Sequence, residues 1–422
     1  MPALSLFAKL IQKVELLAPA GNMECFLAAL HFGADAVYIG AKAMNLRNLA
    51  DNFDGEQLAG AVKIAHAQGK RVYVTLNAFA KDKDIQSLPR VLEAIEHAGP
   101  DALIVSDPGV IRVVRGQLPG MPLHLSTQAN TLSAEAALFW HDMGISRIVL
   151  ARELSLDEIK AMRDTLPPSL ELEVFVHGAM CMAYSGRCLF SNYINGRSGN
   201  AGSCAQPCRW RFAFREAKAG EEPADAFFEA VQDEQGTYLF NSRDLCLISH
   251  LPKLIDAGVS SLKIEGRMKS LFYVATVTNA YRMALDHYAA HGAGAVLPDA
   301  IMSELNKASH RPYSTGFLFG GLDEGNIAGQ SGGYTAGAFI TAVVENYNPQ
   351  TKRAKIIQRN RFFAGDCLEI LGPKDIDRKI MIQSIQNEEG ETVLSAPHPE
   401  QVLFIQSDEP LKKGDILRKI RP

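Results

Sequence analysis

HFGADAVYIG, residues 31–40, hands a helical pattern over to a buried strand through a single glycine. Gly33 stands where a helix C-terminus takes a left-handed residue. The apolar run that follows is too short for a helix and suits a strand covered on both faces. The same handover returns in HAGPDALIVSD (97–107), HDMGISRIVLARE (141–153) and DAGVSSLKIEGR (256–267), with Gly99, Gly144 and Gly258 at the junctions.

Working outward, eight strands are expected: VELLAPAG (14–21), DAVYIGAK (35–42), RVYVTLN (71–77), DALIVSD (101–107), PLHLSTQAN (122–130), RIVLARE (147–153), LEVFVHG (172–178) and SLKIEGR (261–267). Helical patterns separate most of them, which points to a parallel sheet. Eight such units favour a closed (β/α)8, TIM-like barrel over an open doubly wound sheet. No GxGxxG follows the first strand, which weakens a dinucleotide fold. A long insertion at about 181–240 separates the seventh and eighth strands, and its second half is acidic. From about residue 336 the pattern changes to short alternating strands, with Gly-Asp before an apolar run in FFAGDCLEIL and PLKKGDILRKI. The expectation is an α/β barrel domain over 1–335 followed by a small all-β barrel domain over 336–422.

The composition is that of an ordinary globular protein, 47% hydrophobic and 21% charged, with a net charge of −4. That charge gives no global pull toward nucleic acid, so such binding needs local patches. No apolar run approaches the ~20 residues that span a bilayer, and the N-terminus lacks the apolar core of a signal peptide. A cytoplasmic protein is expected. Thiols stay reduced there, so clustered cysteines read as metal ligands rather than disulfides.

Five of the seven cysteines fall between residues 181 and 246: Cys181, Cys188, Cys204, Cys208 and Cys246. From Cys181 to Arg215 there is no acidic residue but five arginines, and nearby positive charge stabilises thiolates. Thiolates are soft ligands for zinc or an iron–sulfur cluster. The spacings match neither zinc ribbons nor the usual ferredoxins, so both centres stay open at this point. Five candidates exceed the four either would need. Cys25 and Cys367 read as small buried apolar residues.

Active sites of such barrels lie at the C-terminal ends of the strands. His177 ends the seventh strand and is a candidate general acid or base, a support for the metal centre, or a packed histidine. Lys263 and Glu265 share parity, as a structural ion pair near the floor would. Glu265 is also the second candidate for catalysis, and Arg267 is a candidate anion binder. Arg47, after the second strand, is another. Ser126, Gln128 and Asn130 would face one way along one strand, and Gln128 is a candidate ligand contact. Arginines interleaved with Tyr184, Phe190, Tyr193 and Trp210 in the cysteine segment suit stacking on unpaired bases. The last 87 residues balance 13 basic against 12 acidic side chains.

At the cysteine segment a resemblance becomes specific. Glu173, Phe175, Gly178, Ala179, Cys181, Gly186, Cys188 and Ser191 meet the pattern E-x-F-x-x-G-[SA]-x-C-x4-G-x-C-x-x-S, and ELLAPAG, HLSTQAN, FNSRDLC, SLKIEGRMKS and SHRPYSTGF support it. The sequence resembles the collagenase-like peptidase family U32. Despite the family's name, the resemblance implies an oxygen-independent hydroxylase that binds a [4Fe–4S] cluster. The branch most like this chain uses prephenate as co-substrate and makes 5-hydroxyuridine at the tRNA wobble position. The resemblance implies Cys181, Cys188, Cys204 and Cys246 as ligands, leaves Cys204 and Cys208 as alternatives for one position, and calls for a carboxylate-binding arginine. The other readings are a peptidase, a hydroxylase of ribosomal RNA or of a quinone precursor, and a partner or electron-transfer subunit.

Overall fold

Seven strands follow one another around a parallel sheet: β1 (Glu15–Pro19), β2 (Ala36–Gly40), β3 (Arg71–Leu76), β4 (Ala102–Val105), β5 (Leu123–Leu125), β6 (Arg147–Val149) and β7 (Glu171–Ala179). Then come a short pair, β8 (Gln232–Asp233) and β9 (Gly236–Thr237), and β10 (Asp244–Cys246). The next strand, β11 (Ser261–Ile264), pairs in parallel with both β1 and β7 and closes an eight-stranded barrel. This computed structural model describes residues 11, 14–42, 51–181, 184, 188–197, 204–209, 232–233, 236–237, 243–320 and 334–421. Among them no helix is long and apolar enough to cross a membrane.

The handover glycines do what their positions demand: Gly33, Gly99, Gly144 and Gly258 all have positive φ. Helices then return outside the barrel with capped starts. Asn22, Asp54, Asp107, Ser133, Ser155 and Ser270 each accept a hydrogen bond from the first turn of the helix that follows. β7 is longer than its neighbours. Its first half pairs with β11, while β10 runs antiparallel to its end, setting Cys246 opposite His177 and Asp244 opposite Ala179. β12 (Tyr313–Ser314) joins β10 in parallel. The insertion therefore leaves the barrel at the end of β7 and returns beside it.

The barrel floor is charged where apolar layers are usual. Glu15, Arg147, Glu173 and Lys263 are all buried there. Arg147 binds Glu15 at 2.6 Å and Glu173 at 3.2 Å, and Lys263 binds Glu173 at 2.7 Å. Tyr73 and Ser261 donate to Glu15. Two buried carboxylates thus meet two buried cations. Lys263 takes Glu173 rather than the expected Glu265, because Glu265 lies beyond the end of β11.

The C-terminal unit corrects the expected β-barrel. Its strands are β13 (Ala338–Asn348), β14 (Arg353–Gln358), β15 (Cys367–Gly372), β16 (Asp375–Met381), β17 (Ile385–Gln386), β18 (Thr392–Val393), β19 (Val402–Gln406) and β20 (Ile416–Ile420). They form one open sheet in the order β16-β15-β20-β13-β14-β19-β17-β18. The outer strands do not pair with each other. β17 and β18 have two residues each and are too short to carry a closing ladder. Residues near both ends, Ile380 and Ile385, still share one apolar core with Ile356 and Leu417, so the sheet covers a core without closing its hydrogen bonds. Cys367, expected to be buried, is exposed opposite exposed Met381, whereas Cys25 is buried.

This sheet docks on the helices Met23–His31 and Leu271–His291. Phe32, Phe272, Leu371, Ile376 and Ile416 form a shared apolar cluster. Asn279 Nδ2 donates to the Gly372 carbonyl, and its Oδ1 accepts from Lys374 N. Arg418 is fully buried against Glu304 in the helix Asp299–Leu305.

Candidate active site at the barrel mouth

Arg267 follows β11 and turns inward, where its Nη1 donates to Thr75 Oγ1 at 2.9 Å. Thr75 in turn donates to the Ile39 carbonyl. A buried guanidinium is thereby fixed at the mouth, across from β3. Arg152, just past β6, donates to the Ala179 carbonyl at 2.7 Å and lies 3.9 Å above the Phe175 ring. Its Nη2 is 4.0 Å from Glu265 Oε2, which also accepts from Tyr38 OH at 3.4 Å. Two arginines and the Glu265 carboxylate thus meet at the mouth, with Glu153 beside Arg152.

Polar groups just past β3, β4 and β5 complete this face. Asn77 Nδ2 donates to Ser126 Oγ, and Ser106 donates to the Asn77 carbonyl. Among the described residues, Asn77 Oδ1, Gln128 Oε1, Thr131 Oγ1 and Arg152 Nε are buried with no hydrogen-bond partner. Buried polar atoms are nearly always satisfied, so a group of such atoms at one barrel mouth is what a polar ligand would complete. Residues 126–130 do not continue a strand. β5 ends at Leu125, the Ser126 hydroxyl caps a 3-10 turn over Thr127–Ala129, and Asn130 is left-handed. The shared facing expected for Ser126, Gln128 and Asn130 therefore does not apply.

His177 is buried within the wall. Its ring is packed against Tyr273, Tyr281 and Tyr313, and Nδ1 lies 3.4 Å from Tyr281 OH. Burial pulls its pKa down to about 3. A neutral histidine held this way shapes the wall rather than meeting a substrate. Beside it, Gly178 has φ +112, and a Cβ there would come within 2.7 Å of the Glu265 carbonyl oxygen. Only glycine allows β7 to pass so close to the chain carrying Glu265.

Beyond β7 the cysteine segment folds back on itself. Cys181 is exposed, and Cys188, Cys204 and Cys208 are half-buried. Ser191 Oγ, in the helix Phe190–Asn195, accepts from Ala205 N at 3.0 Å, fastening the residue after Cys204 to the helix that follows Cys188. Gln206 N donates to Cys204 Sγ at 3.3 Å, and such a donor stabilises thiolate character. Cys246 is buried in β10, and burial pushes its thiol up to about 11 against a hydrogen bond from Ile248 N. Among the described residues no three His, Cys, Asp or Glu side chains are gathered as a metal would require. The donor set itself, thiols on one acid-free segment with N–H groups directed at sulfur, fits a soft metal centre. Arg47, Arg187, Trp210, Arg211, Arg215 and most of the acidic half of the insertion lie outside the described residues.

Two features of the site were not singled out from sequence. Arg152 was one polar residue among several at strand ends. Asp244 and Arg311, a buried pair at 2.7 Å that clamps β10 to the residues before β12, came from two separate stretches, FNSRDLC and SHRPYSTGF, with nothing local to link them.

Comparison with known proteins extends over nearly all of the chain. The profile described as Peptidase family U32 matches residues 21–327, and that of the Peptidase family U32 C-terminal domain matches 338–418. A Bacillus subtilis (strain 168) protein named tRNA hydroxylation protein P1 is 38% identical, over 97% of this chain and 95% of its own. The Escherichia coli (strain K12) tRNA hydroxylation protein P is 37% identical, over 91% and 92%. A Porphyromonas gingivalis (strain ATCC BAA-308 / W83) protein named Collagenase is 34% identical, over 66% and 67%.

Proposed function

This chain belongs to peptidase family U32, and from that premise we propose that it is a tRNA-modifying hydroxylase. The observation that carries the reading is its identity with tRNA hydroxylation proteins along both the barrel and the C-terminal sheet. In its finer form the reaction is oxygen-independent formation of 5-hydroxyuridine at the wobble position, with prephenate as co-substrate. Replacing the C5 hydrogen of uracil by hydroxyl is a two-electron oxidation, so the site needs a redox group that hands both electrons, one at a time, to an external electron-acceptor partner.

Cys181, Cys188, Cys204 and Cys246 would hold a [4Fe–4S] cluster, which when bound supplies one-electron transfer. Cys208 is the alternative to Cys204. The chain's own residues bind and orient. Arg267, fixed on Thr75, and Arg152, fixed on Ala179 and Phe175, offer forked donors to the carboxylates of prephenate; Arg47 is a third candidate. The free carbonyl oxygens of Gln128 and Asn77 accept N–H or O–H groups, including the imide N–H of uracil. Glu265, beside Arg152 and Tyr38, would take a proton at Oε2. His177 is a positioning residue.

The peptidase reading has in its favour the family's description and relatives named for proteolysis, Collagenase among them. It requires a nucleophile beside a base at the mouth, and His177 is packed among tyrosines. Gelatin cleavage by purified protein, lost in a point variant at the mouth, would restore that reading. The direct experiment on the hydroxylase is gene deletion followed by mass spectrometry of tRNA nucleosides. Wobble 5-hydroxyuridine should disappear and return with the wild-type gene, and an unchanged level refutes the proposal.

A further inference from the structure

The C-terminal sheet carries two arginine–phenylalanine pairs, one in the connection between β14 and β15 and one where the start of β13 meets the end of β20. Arg361 lies 5.3 Å from the centroid of the Phe363 ring, and Arg421 lies 6.0 Å from that of Phe339. Phe363 is 45% exposed, and both arginines are exposed. Among the described residues neither Arg361 nor Arg421 has an acidic partner.

The two pairs form one surface. Phe363 N donates to Asp366, Asp366 binds Lys419 at 2.6 Å, and Lys419 sits opposite Phe339 across β20 and β13. That surface reaches the mouth at two points. Arg359 pairs with Glu24 in the first turn of the helix that begins just past β1. Lys269, just past β11, places its ammonium 5.0 Å from the centroid of exposed Tyr334. Helix starts and strand ends share one face of a (β/α)8 barrel, so this strip lies alongside the face that carries Arg267 and Arg152.

An arginine over an exposed ring presents a planar cation and an aromatic face together. Phosphates attract the first, and unpaired bases stack on the second. We infer that this strip, built on Arg361, Phe363, Phe339, Arg421 and Tyr334, is where unpaired nucleotides of the RNA substrate dock while one nucleotide enters the mouth. The inference rests on the tRNA-modifying reading and adds the surface that receives the RNA.

The test uses the full chain with its metal centre, purified without oxygen, and fluorescently labelled tRNA beside a fully paired RNA duplex of equal length. Arg361→Ala/Phe363→Ala should weaken tRNA binding about tenfold or more, since stacking losses are of that size. Arg421→Ser should weaken it and lower the salt dependence by about one released ion. Duplex affinity should change much less with Phe363→Ala alone. Exposure of these side chains predicts unchanged melting temperatures, which separates lost contacts from lost folding. Wild-type protein that binds tRNA and variants that bind equally well would overturn the docking surface and leave the hydroxylase reading intact. Wild-type protein that binds no tRNA would overturn both. Unchanged RNA affinity with a changed mass in light scattering would make the strip a contact between copies, and would also overturn it.

Discussion

Lys263 Nζ and Glu173 Oε1 lie 2.7 Å apart inside the closed barrel, one on β11 and one on β7, both shut off from solvent. Burial alone would raise the Glu173 pKa, but Lys263 and then Arg147 outweigh it and hold the carboxyl below its usual range. Removing one member leaves a buried charge without its partner, which costs about 3–5 kcal/mol. Glu173→Leu should destabilise the protein by that amount in denaturant unfolding. Glu173→Leu/Lys263→Met should cost clearly less than the two single changes added together. Additive losses would show that the pair does not act as a unit.

His124 gives the barrel a predictable acid limit. Burial first, then Arg147, Lys263 and Arg71, lowers its pKa well below 6.5, so it is neutral in the folded protein. The unfolded chain takes up a proton as pH falls through about 6.5. Stability is therefore complete above that pH and is lost below it, by up to about 1.4 kcal/mol per pH unit for this group. His124→Leu should flatten the slope between pH 6.5 and 5 by about one proton, with His177 and His250, whose pKa values are also lowered, contributing to the slope that remains. An identical slope in wild type and variant would contradict the assignment.

What could be read from sequence was what neighbouring residues decide. The turn at Gly33 and the strand at Ala36–Gly40 follow from local chemistry, and the repeat of that unit yields the barrel. Closure of the C-terminal sheet was not legible, because it depends on whether β16 meets β18, and no residue in either strand announces its partner. Parity along β11 pointed Lys263 toward Glu265, yet the partner comes from the neighbouring strand. The cysteine segment stood out because acid-free, thiol-rich stretches are rare. Arg152 did not, because its meaning lies in the Phe175 ring under it, 23 residues away in sequence.

Arg418 joins the two units. It binds Glu304 through both terminal nitrogens and also reaches Glu369, with Arg418 and Glu304 fully buried. Arg418→Met keeps the volume and leaves Glu304 with Lys307 as its partner. Because Lys307 still meets Glu304, the loss should fall below the ~3–5 kcal/mol that a wholly unpaired buried charge costs. Calorimetry should show the sheet melting apart from the barrel in the variant, where the wild-type protein melts in one transition.

Arg267→Lys tests the anion site without removing its charge. The lysine cannot both donate to Thr75 and present a fork to a carboxylate. Losing one charge-assisted contact of about 1.5–3 kcal/mol corresponds to a fall of about ten- to a hundredfold in kcat/KM for the carboxylate co-substrate. Thr75→Val should lose less, because the guanidinium remains.

The ligands of the metal centre can be separated one cysteine at a time. Cys204 has Gln206 N directed at its sulfur, and Cys246 has Ile248 N within reach. A donor of this kind suits a bound thiolate at Cys204 and at Cys246, and Cys208 stays the alternative to Cys204. Without a metal, burial keeps the Cys246 thiol protonated, and a bound cation reverses that balance. Anaerobically purified wild-type protein should hold about four iron and four sulfide per chain. Cys181→Ser, Cys188→Ser, Cys204→Ser and Cys246→Ser should each lose most of the iron and the visible absorption, while Cys208→Ser keeps both. Loss in Cys208→Ser with retention in Cys204→Ser would exchange those two ligands, and retention in Cys246→Ser would return that residue to the apolar wall around Tyr281. Zinc in place of iron would remove the redox group from the site and the hydroxylase reading with it.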